Sequence, residues 1–363
     1  MTNSEQVIHF FMSAVTPGGF VTHFSELTDP CRYRQAYLIK GAPGCGKSTL
    51  IRRAAAAAVL QGKPVEMIHC SADPQSLDAV VLGDVTLTDA TAPHILEPAS
   101  PGLFERVISL YDFCDPKVLS QNRTPIQQAV ALQTTLQKRT AAYVRAAGML
   151  LASCERLAAR CIDGEKLSNY IARFCMRELK KPHTGKGTER VRYLSALGEN
   201  GVVLFLETAQ KLCQRRILLL DDSGAASGII LSEIRAAALS MGYDVYSCPC
   251  PMSASGRLEH LLIPQLSLCL LTSNKFHPIA IEGSRRVHTA RFFNREQMQS
   301  HSFRNSFQRR AARQLLQEAS IFSGQWLENR RALEKYYTAA CDFTASDRYF
   351  DRFLAEISAP VGQ

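Results

Sequence analysis

Apolar positions in this chain recur in two rhythms, and the first is that of strands. Residues 10–15 form a strand-like run that enters the turn-bearing stretch 16–21, and the short apolar run 37–39 feeds a glycine-rich turn. Residues 51–60 are alanine-rich and predict a helix, ended by Gly62 and Pro64. Residues 65–70 predict a second strand, 71–78 a short helix, 85–89 an alternating third strand and 106–110 a fourth. Strands interleaved with helices in this way predict an α/β domain on a mostly parallel sheet.

Much of the pattern returns about 180 residues later. Residues 195–203 echo 13–21, and 217–220 fall on 37–40. At a constant offset of 180, Gly224 falls on Gly44, residues 236–238 on 56–58, Gly242 on Gly62, Val245 on Val65 and Cys250 on Cys70. Residues 266–270 follow on 85–89, one residue out of step, and 286–293 on 106–113. The gaps are small and sit in turns, so the chain reads as a duplication.

The second rhythm is helical. Positions 129, 133, 136, 140, 143, 147, 150, 154, 157 and 161 carry a narrow apolar seam of alternating four-three spacing, as in a coiled-coil hairpin. The tail repeats the habit at Leu315, Ala319, Phe322, Trp326, Leu333, Tyr336 and Ala340. The division expected is a phosphate-loop domain over 1–115, a helical arm over 116–189, a degenerate second domain over 190–295 and a helical arm over 296–363. The arms pack on each other or on the sheets; a partner-binding arm is the sharper reading.

Composition narrows the class. With 363 residues, 46% hydrophobic and 21% charged, the chain is a globular protein too long for one ordinary core. No apolar run approaches membrane-spanning length, and the amino-terminal residues Met1 to Glu5 show no basic leader, so a cytoplasmic protein without a membrane partner is expected. The twelve cysteines lack framework spacing and read as free thiols, and the Cys248-Pro-Cys250 pair reads as buried at a strand end. The net charge of +9 is spread over basic pairs (Arg52-Arg53, Lys180-Lys181, Arg215-Arg216, Arg285-Arg286, Arg309-Arg310), which allows nucleic-acid binding without indicating it; solvated helix faces are the preferred account of the pairs.

The chemistry concentrates in the turn after residues 37–39. Gly41, Ala42, Pro43, Gly44, Cys45, Gly46, Lys47, Ser48 and Thr49 spell the phosphate-binding form G-x-x-x-x-G-K-[ST], with a strand before it and a helix after it. The glycines let backbone N–H groups turn toward phosphate oxygens, and the helix points its unpaired amides and positive dipole end at the same anion. Lys47 is placed to reach the β- and γ-phosphates and Ser48 to ligate Mg²⁺. Asp89, ending a strand roughly forty residues on, is the candidate carboxylate for orienting Mg²⁺; a polar residue merely closing a strand is the plainer account.

Ala90 follows Asp89, so the glutamate with which many ATPases polarise water is missing there. Asp73 and Asp78 lie at the same sheet edge, where Asp73-Pro also suits a helix cap. His69 and His94 exit strands nearby as structural histidines or general bases. Cys45, beside Lys47 and a helix N-terminus, has two reasons for a lowered thiol pKa, against the simpler reading of a variable loop position.

In the second copy Ser227 stands opposite Lys47, Gly228 opposite Ser48 and Leu270 opposite Asp89. Asp221 and Asp222 add carboxylates that repel phosphate, which leaves one working site and one silent one. Taken alone, 217–222 reads as a Walker B strand with Asp221 as a metal ligand; the repeat register makes it the first strand of the second copy instead. The guanine-reading Asn-Lys-x-Asp motif and the Leu-Ser-Gly-Gly-Gln signature are both missing, which counts against a GTP switch and an ABC-type ATPase.

With residues 16–20, 41–49, 69–78 and the Asp89-Ala-Thr-Ala-Pro-His94 stretch in view, the chain resembles a bacterial family of duplicated P-loop proteins described as ATPases or nucleotide-kinase-like. The resemblance covers nearly the whole length and implies ATP binding at the first site. In that family the second copy often keeps a recognisable phosphate loop, which this chain does not. The expectation is an ATPase or ATP-dependent phosphotransferase using Mg²⁺, acting on an unidentified acceptor. An arginine from the second copy or a helical arm, with Arg285 and Arg286 as guesses, completes the site. The alternative is an ATP-controlled module acting on a macromolecular partner with little turnover.

Overall fold

A computed structural model describes residues 7–180 and 185–358; the amino-terminal residues Met1 to Glu5 and Lys181 lie outside the described residues. The chain separates into two units. The first takes residues 1–13, 22–139 and 322–363, and the second takes 14–21 and 140–321.

The first unit is built on a six-stranded sheet of β1 (Val7–Phe11), β4 (Gln35–Lys40), β5 (Val65–His69), β6 (Leu77–Leu82), β7 (Val85–Asp89) and β8 (Glu105–Ser109), in the order β1-β5-β6-β7-β4-β8. Every neighbouring pair is parallel except those made by β6, which runs against both β5 and β7. All six residues of β6 are buried, and Ala36 to Ile39 of β4 are buried too, as expected of strands covered on both faces. Helix α1 (Lys47–Leu60) packs Leu50, Ile51, Ala54, Ala55 and Ala58 against this sheet. Its run of alanines lets the helix lie close to the strands.

The expected helix over 71–78 is not formed. Asp73 starts a turn, its carbonyl accepting from the Ser76 N–H at 2.9 Å and its carboxylate from the Gln75 N–H at 3.2 Å. Leu77 then opens β6, which the turn at Gly83 (φ 67°) folds back onto β7. The Asp-Pro pair that suits a helix cap suits an Asx turn equally well, and the buried run after it takes the strand.

The second unit carries a sheet of β9 (Glu189–Val191), β12 (Arg215–Leu220), β13 (Val245–Pro249), β14 (Leu258–Ile263), β15 (Leu268–Ser273) and β16 (Arg285–His288), ordered β9-β13-β14-β15-β12-β16. Its only antiparallel pairings are again those of the third strand in that order, β14. Strand for strand the two sheets have the same order and direction. Helix α6 (Ala225–Ser240) takes the place of α1. Two hairpins, β2–β3 (Ser13–Thr16, Gly19–Thr22) and β10–β11 (Ser195–Gly198, Gly201–Leu204), accompany the sheets. Residues 217–220 therefore belong to the second sheet, as the repeat register requires, and do not stand beside β4 as a Walker B strand.

The registers correct one alignment. Ile39 pairs with Asp89, while its counterpart Leu219 pairs with Thr272. The residue in Asp89's place is thus Thr272 and not Leu270. The cause is a 3₁₀ turn at Pro264–Leu266 that starts β15 at Leu268, later than expected. Likewise Tyr37 pairs with Arg106 and Ile217 with Arg285, so Arg285 and not Arg286 holds that position.

Long helices α3 (Arg123–Ala159) and α8 (Ser302–Ala340) each contribute to both units. In the second unit Val144 and Ala147 of α3 pack with Ala312, Leu316 and Ala319 of α8; of these Ala147 and Ala319 are seam positions, and the seam's Tyr143, Leu150 and Leu315 are partly buried beside them. Short helices α2 (Pro116–Gln121), α5 (Leu206–Leu212) and α7 (Arg295–Ser300) mark the turns. Helix α4 (Gly164–Glu178) follows the first sheet in sequence, yet its Leu167 and Phe174 belong to the core of the second. Helix α9 (Phe343–Ser358) follows the second sheet, yet its Phe350 and Phe353 belong to the core of the first. The arms are exchanged.

Phe353 is 4% exposed and meets Tyr37 of β4 edge-on at 4.9 Å. Phe353→Ala is expected to cost the first unit about 3–5 kcal/mol, the usual range for deleting a buried aromatic. The check is a fall in the denaturant midpoint of that unit; a shift worth less than about 1 kcal/mol would mean α9 is a loose cover.

Candidate nucleotide site

Six residues link the end of β4 to the start of α1: Gly41, Ala42, Pro43, Gly44, Cys45 and Gly46. Gly44 and Gly46 hold φ at 77° and 93°, the left-handed region that glycine enters without Cβ strain. Gly46 also caps α1, so the unpaired amides of the first turn face the loop's interior. This is a cradle for an anion built from backbone alone.

Lys47 is 8% exposed and donates to the carbonyls of Gly41 at 2.7 Å and Ala42 at 2.9 Å. Its ammonium lies 3.6 Å from the carboxylate of Asp89, which β7 delivers beside β4 in parallel register. Asp89 accepts further hydrogen bonds from the Thr91 N–H at 2.9 Å and from the Thr91 hydroxyl. Burial pushes its carboxyl up from the ordinary range, and the neighbouring Asp78 adds to that, while Lys47 and Thr91 pull it down. Ser48 accepts from the Leu77 N–H at 2.9 Å, tying the helix start to β6.

A cavity of about 390 Å³ opens over these groups, within the range of small-molecule sites. Gly44, Gly46, Lys47, Ser48, Thr49, Asp73, Asp78 and Asp89 line it. So do Trp326, Arg330, Glu334 and Thr338 of α8, of which the sequence reading placed Trp326 in the helical seam and assigned the others no role. A Cβ on Gly44 would come within 2.9 Å of both the Glu334 carbonyl and the Thr338 hydroxyl, so this glycine admits the arm as well as an anion. Arg330 pairs with Glu334 at 3.0 Å and lies 5.8 Å over the Trp326 ring. The arginine that lines the site thus comes from the carboxy-terminal arm. The guessed Arg285 and Arg286 sit on β16, the edge strand of the second sheet, and do not line this cavity.

The neighbouring candidates sort by their partners. His69 has both ring nitrogens engaged, by the Pro74 carbonyl at 2.6 Å and by His9 at 2.9 Å, and burial lowers its pKa to about 4. Such a ring is held for structure. His94 donates to Asp78 at 3.2 Å and stacks on Phe24. The second unit repeats this pair at matching register positions as Glu259 and His277, also 3.2 Å apart. A pair kept where the loop is degenerate serves the fold first. For Cys45 the expectation of a lowered pKa is overturned: burial pushes the thiol up to about 11, outweighing the pull of Lys47. Cys248 and Cys250 are buried free thiols, as expected.

In the second unit the corresponding loop runs only from Asp221 to Gly224 before α6 begins. The helix therefore starts half a turn earlier than α1. Asp221 is 3% exposed and accepts from the Ser227 N–H at 2.8 Å, from the Ser223 N–H at 2.9 Å and from the Ser223 hydroxyl at 2.7 Å. A carboxylate of the chain itself occupies the helix N-terminus that a phosphate would need. Arg257 lies across the same turn: a Cβ on Gly224 would come within 2.7 Å of its guanidinium. Asp221→Ala is expected to destabilise the second unit by about 1–3 kcal/mol, because it leaves buried amides unpaired. Ser227→Ala, in contrast, is expected to leave nucleotide affinity unchanged; a large loss in a binding titration would show that this loop is in use.

A family model for the viral superfamily 1 RNA helicase core domain matches residues 37–94. The matched stretch takes in the glycine loop, Lys47, Ser48, Asp78, Asp89 and His94. No curated protein and no solved structure matches the chain. Among the described residues no helix is long and apolar enough to cross a membrane. Residues 37–94 are therefore similar to a nucleotide-binding core of the P-loop NTPase type, inside an α/β fold of two mostly parallel sheets flanked by helices.

Proposed function

We infer that the protein is an ATPase or ATP-dependent phosphotransferase with one working Mg·ATP site, in the first unit, and that the second unit is its silent duplicate. The observation that carries this reading is the approach of Lys47 to Asp89, 3.6 Å apart in a cavity that Ser48 also lines. Asp89 ends β7, and Lys47 opens α1 just past the end of the adjacent parallel strand β4, at the edge where open α/β sheets bind their ligands. Identical strand order in the two sheets supports the duplication, and the Asp221 carboxylate on α6 supports the silence.

The residues present fit Mg·ATP. The left-handed glycines and the first amides of α1 offer donors to phosphate oxygens, and Lys47 offers a cation to the β- and γ-phosphates. Ser48 and Asp89 are the oxygen donors for Mg²⁺, whose chemistry when bound is charge neutralisation on the phosphates. Lys47 has to exchange its bonds to the Gly41 and Ala42 carbonyls for phosphate oxygens as the ligand enters. Arg330 supplies a second cation over the cavity. Catalysis then rests on positioning and electrostatic stabilisation rather than on a covalent intermediate.

A second reading has an observation of its own. Ala90 is fully buried beside Asp89, with no glutamate in that place to activate water, and α8 lies against the glycine loop at Gly44. An ATP-controlled switch, in which occupancy moves the arm, follows from the same contacts. Phosphate release separates the two. Full-length protein with Mg·ATP is run beside a panel of metabolites and nucleotides as phosphate acceptors, with an acceptor-free control. Turnover at kinase-like or ATPase rates supports the enzyme; tight binding with negligible turnover supports the switch. Failure to bind any nucleotide removes both.

A further inference from the structure

Among the described residues two groups of side chains converge closely enough to hold a metal ion. One, Glu259 with His260 and His277, is an acid–histidine cluster of the second unit in which Glu259 and His260 are buried and Glu259 already pairs with both rings. The other is made of sulfur alone and has no part in the nucleotide chemistry. We propose that Cys45, Cys114 and Cys341 form a thiolate site for a thiophilic d¹⁰ cation, Zn²⁺ or Cu⁺, which fastens the glycine loop to the carboxy-terminal arm.

Three distant segments bring these thiols together. Cys45 comes from the glycine loop, Cys114 from the chain just after β8, and Cys341 from the end of α8. Their sulfurs lie 2.8 Å (Cys114–Cys341), 3.3 Å (Cys45–Cys114) and 3.4 Å (Cys45–Cys341) apart. The backbone holds two of them in place. Cys114 and Cys341 face one another across an antiparallel bridge, flanked by the Asp115 N–H to Ala340 carbonyl and Asp342 N–H to Phe113 carbonyl bonds, each 2.8 Å. The donors are thus gathered before any ion arrives, so little ordering entropy remains to be lost on binding.

Ligand chemistry selects the ion. Three thiolates without a carboxylate or imidazole in the group favour soft cations over Mg²⁺ or Ca²⁺. With Zn–S bonds of about 2.3 Å, sulfurs of one tetrahedral centre stand ~3.8 Å apart, so the triangle opens by less than about 1 Å to receive the ion. Cys45 is buried, while Cys114 and Cys341 are half-buried and give the ion a way in. Cu⁺ is satisfied by three sulfurs; Zn²⁺ keeps a fourth position for solvent. In either case each thiol gives up its proton on binding.

The test uses the full-length protein, reduced and stripped of metal, titrated with Zn²⁺ alone and, without oxygen, with Cu⁺ alone. Expected are one ion retained per chain, proton release on binding, and a thiolate charge-transfer band when Co²⁺ replaces Zn²⁺. Zn²⁺ with a cobalt band assigns zinc; Cu⁺ retained with Zn²⁺ rejected assigns copper. Cys341→Ser and Cys114→Ser should each weaken retention at least about 100-fold, the upper end of what even outer partners of a metal site contribute. Cys31→Ser, an exposed thiol elsewhere, should leave it unchanged. Because either of these changes can disturb the bridge, Cys45→Ala reads the same loss from the other side of the triangle. The proposal is overturned if the wild-type protein retains neither ion with its thiols reduced. A Cys114–Cys341 disulfide in the reduced preparation, or metal binding that survives all three substitutions, overturns it equally.

Discussion

Lys47→Ala is expected to weaken nucleotide binding about 100-fold or more, from the 1.5–3 kcal/mol of a hydrogen bond to a charged group plus the lost point charge. The side chain is buried and sits where the glycine loop, α1 and Asp89 meet, so no neighbour can substitute for it. The fold is expected to survive, because Asp89 keeps its bonds from Thr91. Calorimetric titration with Mg·ATP reads the affinity, and circular dichroism with a melting curve reads the fold. An unchanged affinity in a folded variant would remove the site from this loop altogether.

Arg330→Ala is expected to act on turnover rather than on binding. An arginine aimed at the transferring phosphoryl group contributes about 10³ or more in kcat, while its effect on ground-state affinity is small. Here the guanidinium is held by Glu334 at 3.0 Å and by the Trp326 ring, which pre-positions it over the cavity. Arg330→Lys should not restore the rate, since an ammonium lacks the planar fork that reaches two oxygens at once. Steady-state phosphate release, with KM and kcat separated, decides the point. Equal loss in affinity and no loss in kcat would make Arg330 a binding residue only.

The parts of this site that were legible in the sequence are those made by neighbours along the chain. The glycine loop needs strand, turn and helix within a few residues, and all three leave local signals at 37–60. Asp89 was legible because β7 ends on it, and the two-sheet plan because the second half repeats the spacing of the first. What escaped was set by distance or by ambiguity. Arg330 and Thr338 reach the loop from nearly 300 positions away, and nothing in the four-three rhythm of the tail tells a seam facing a helix from one facing a glycine loop. Strand β6 escaped because Asp73-Pro signals a cap and an Asx turn alike. The offset of Thr272 escaped because the 3₁₀ turn at Pro264–Leu266 shifts the strand further than the one-residue step read from the sequence. The three cysteines show the same limit, since their meeting depends on topology alone.

The exchanged arms bear on how the chain matures. The strands of the first sheet leave the ribosome early, but Phe350 and Phe353, which close that sheet's core, emerge more than two hundred residues later. At the usual pace of roughly 5–20 residues per second the nascent amino-terminal half waits on the order of ten seconds or longer with an apolar face uncovered. A product terminated before α8 and α9 would present the phosphate loop without the helices that pack on it and on its sheet.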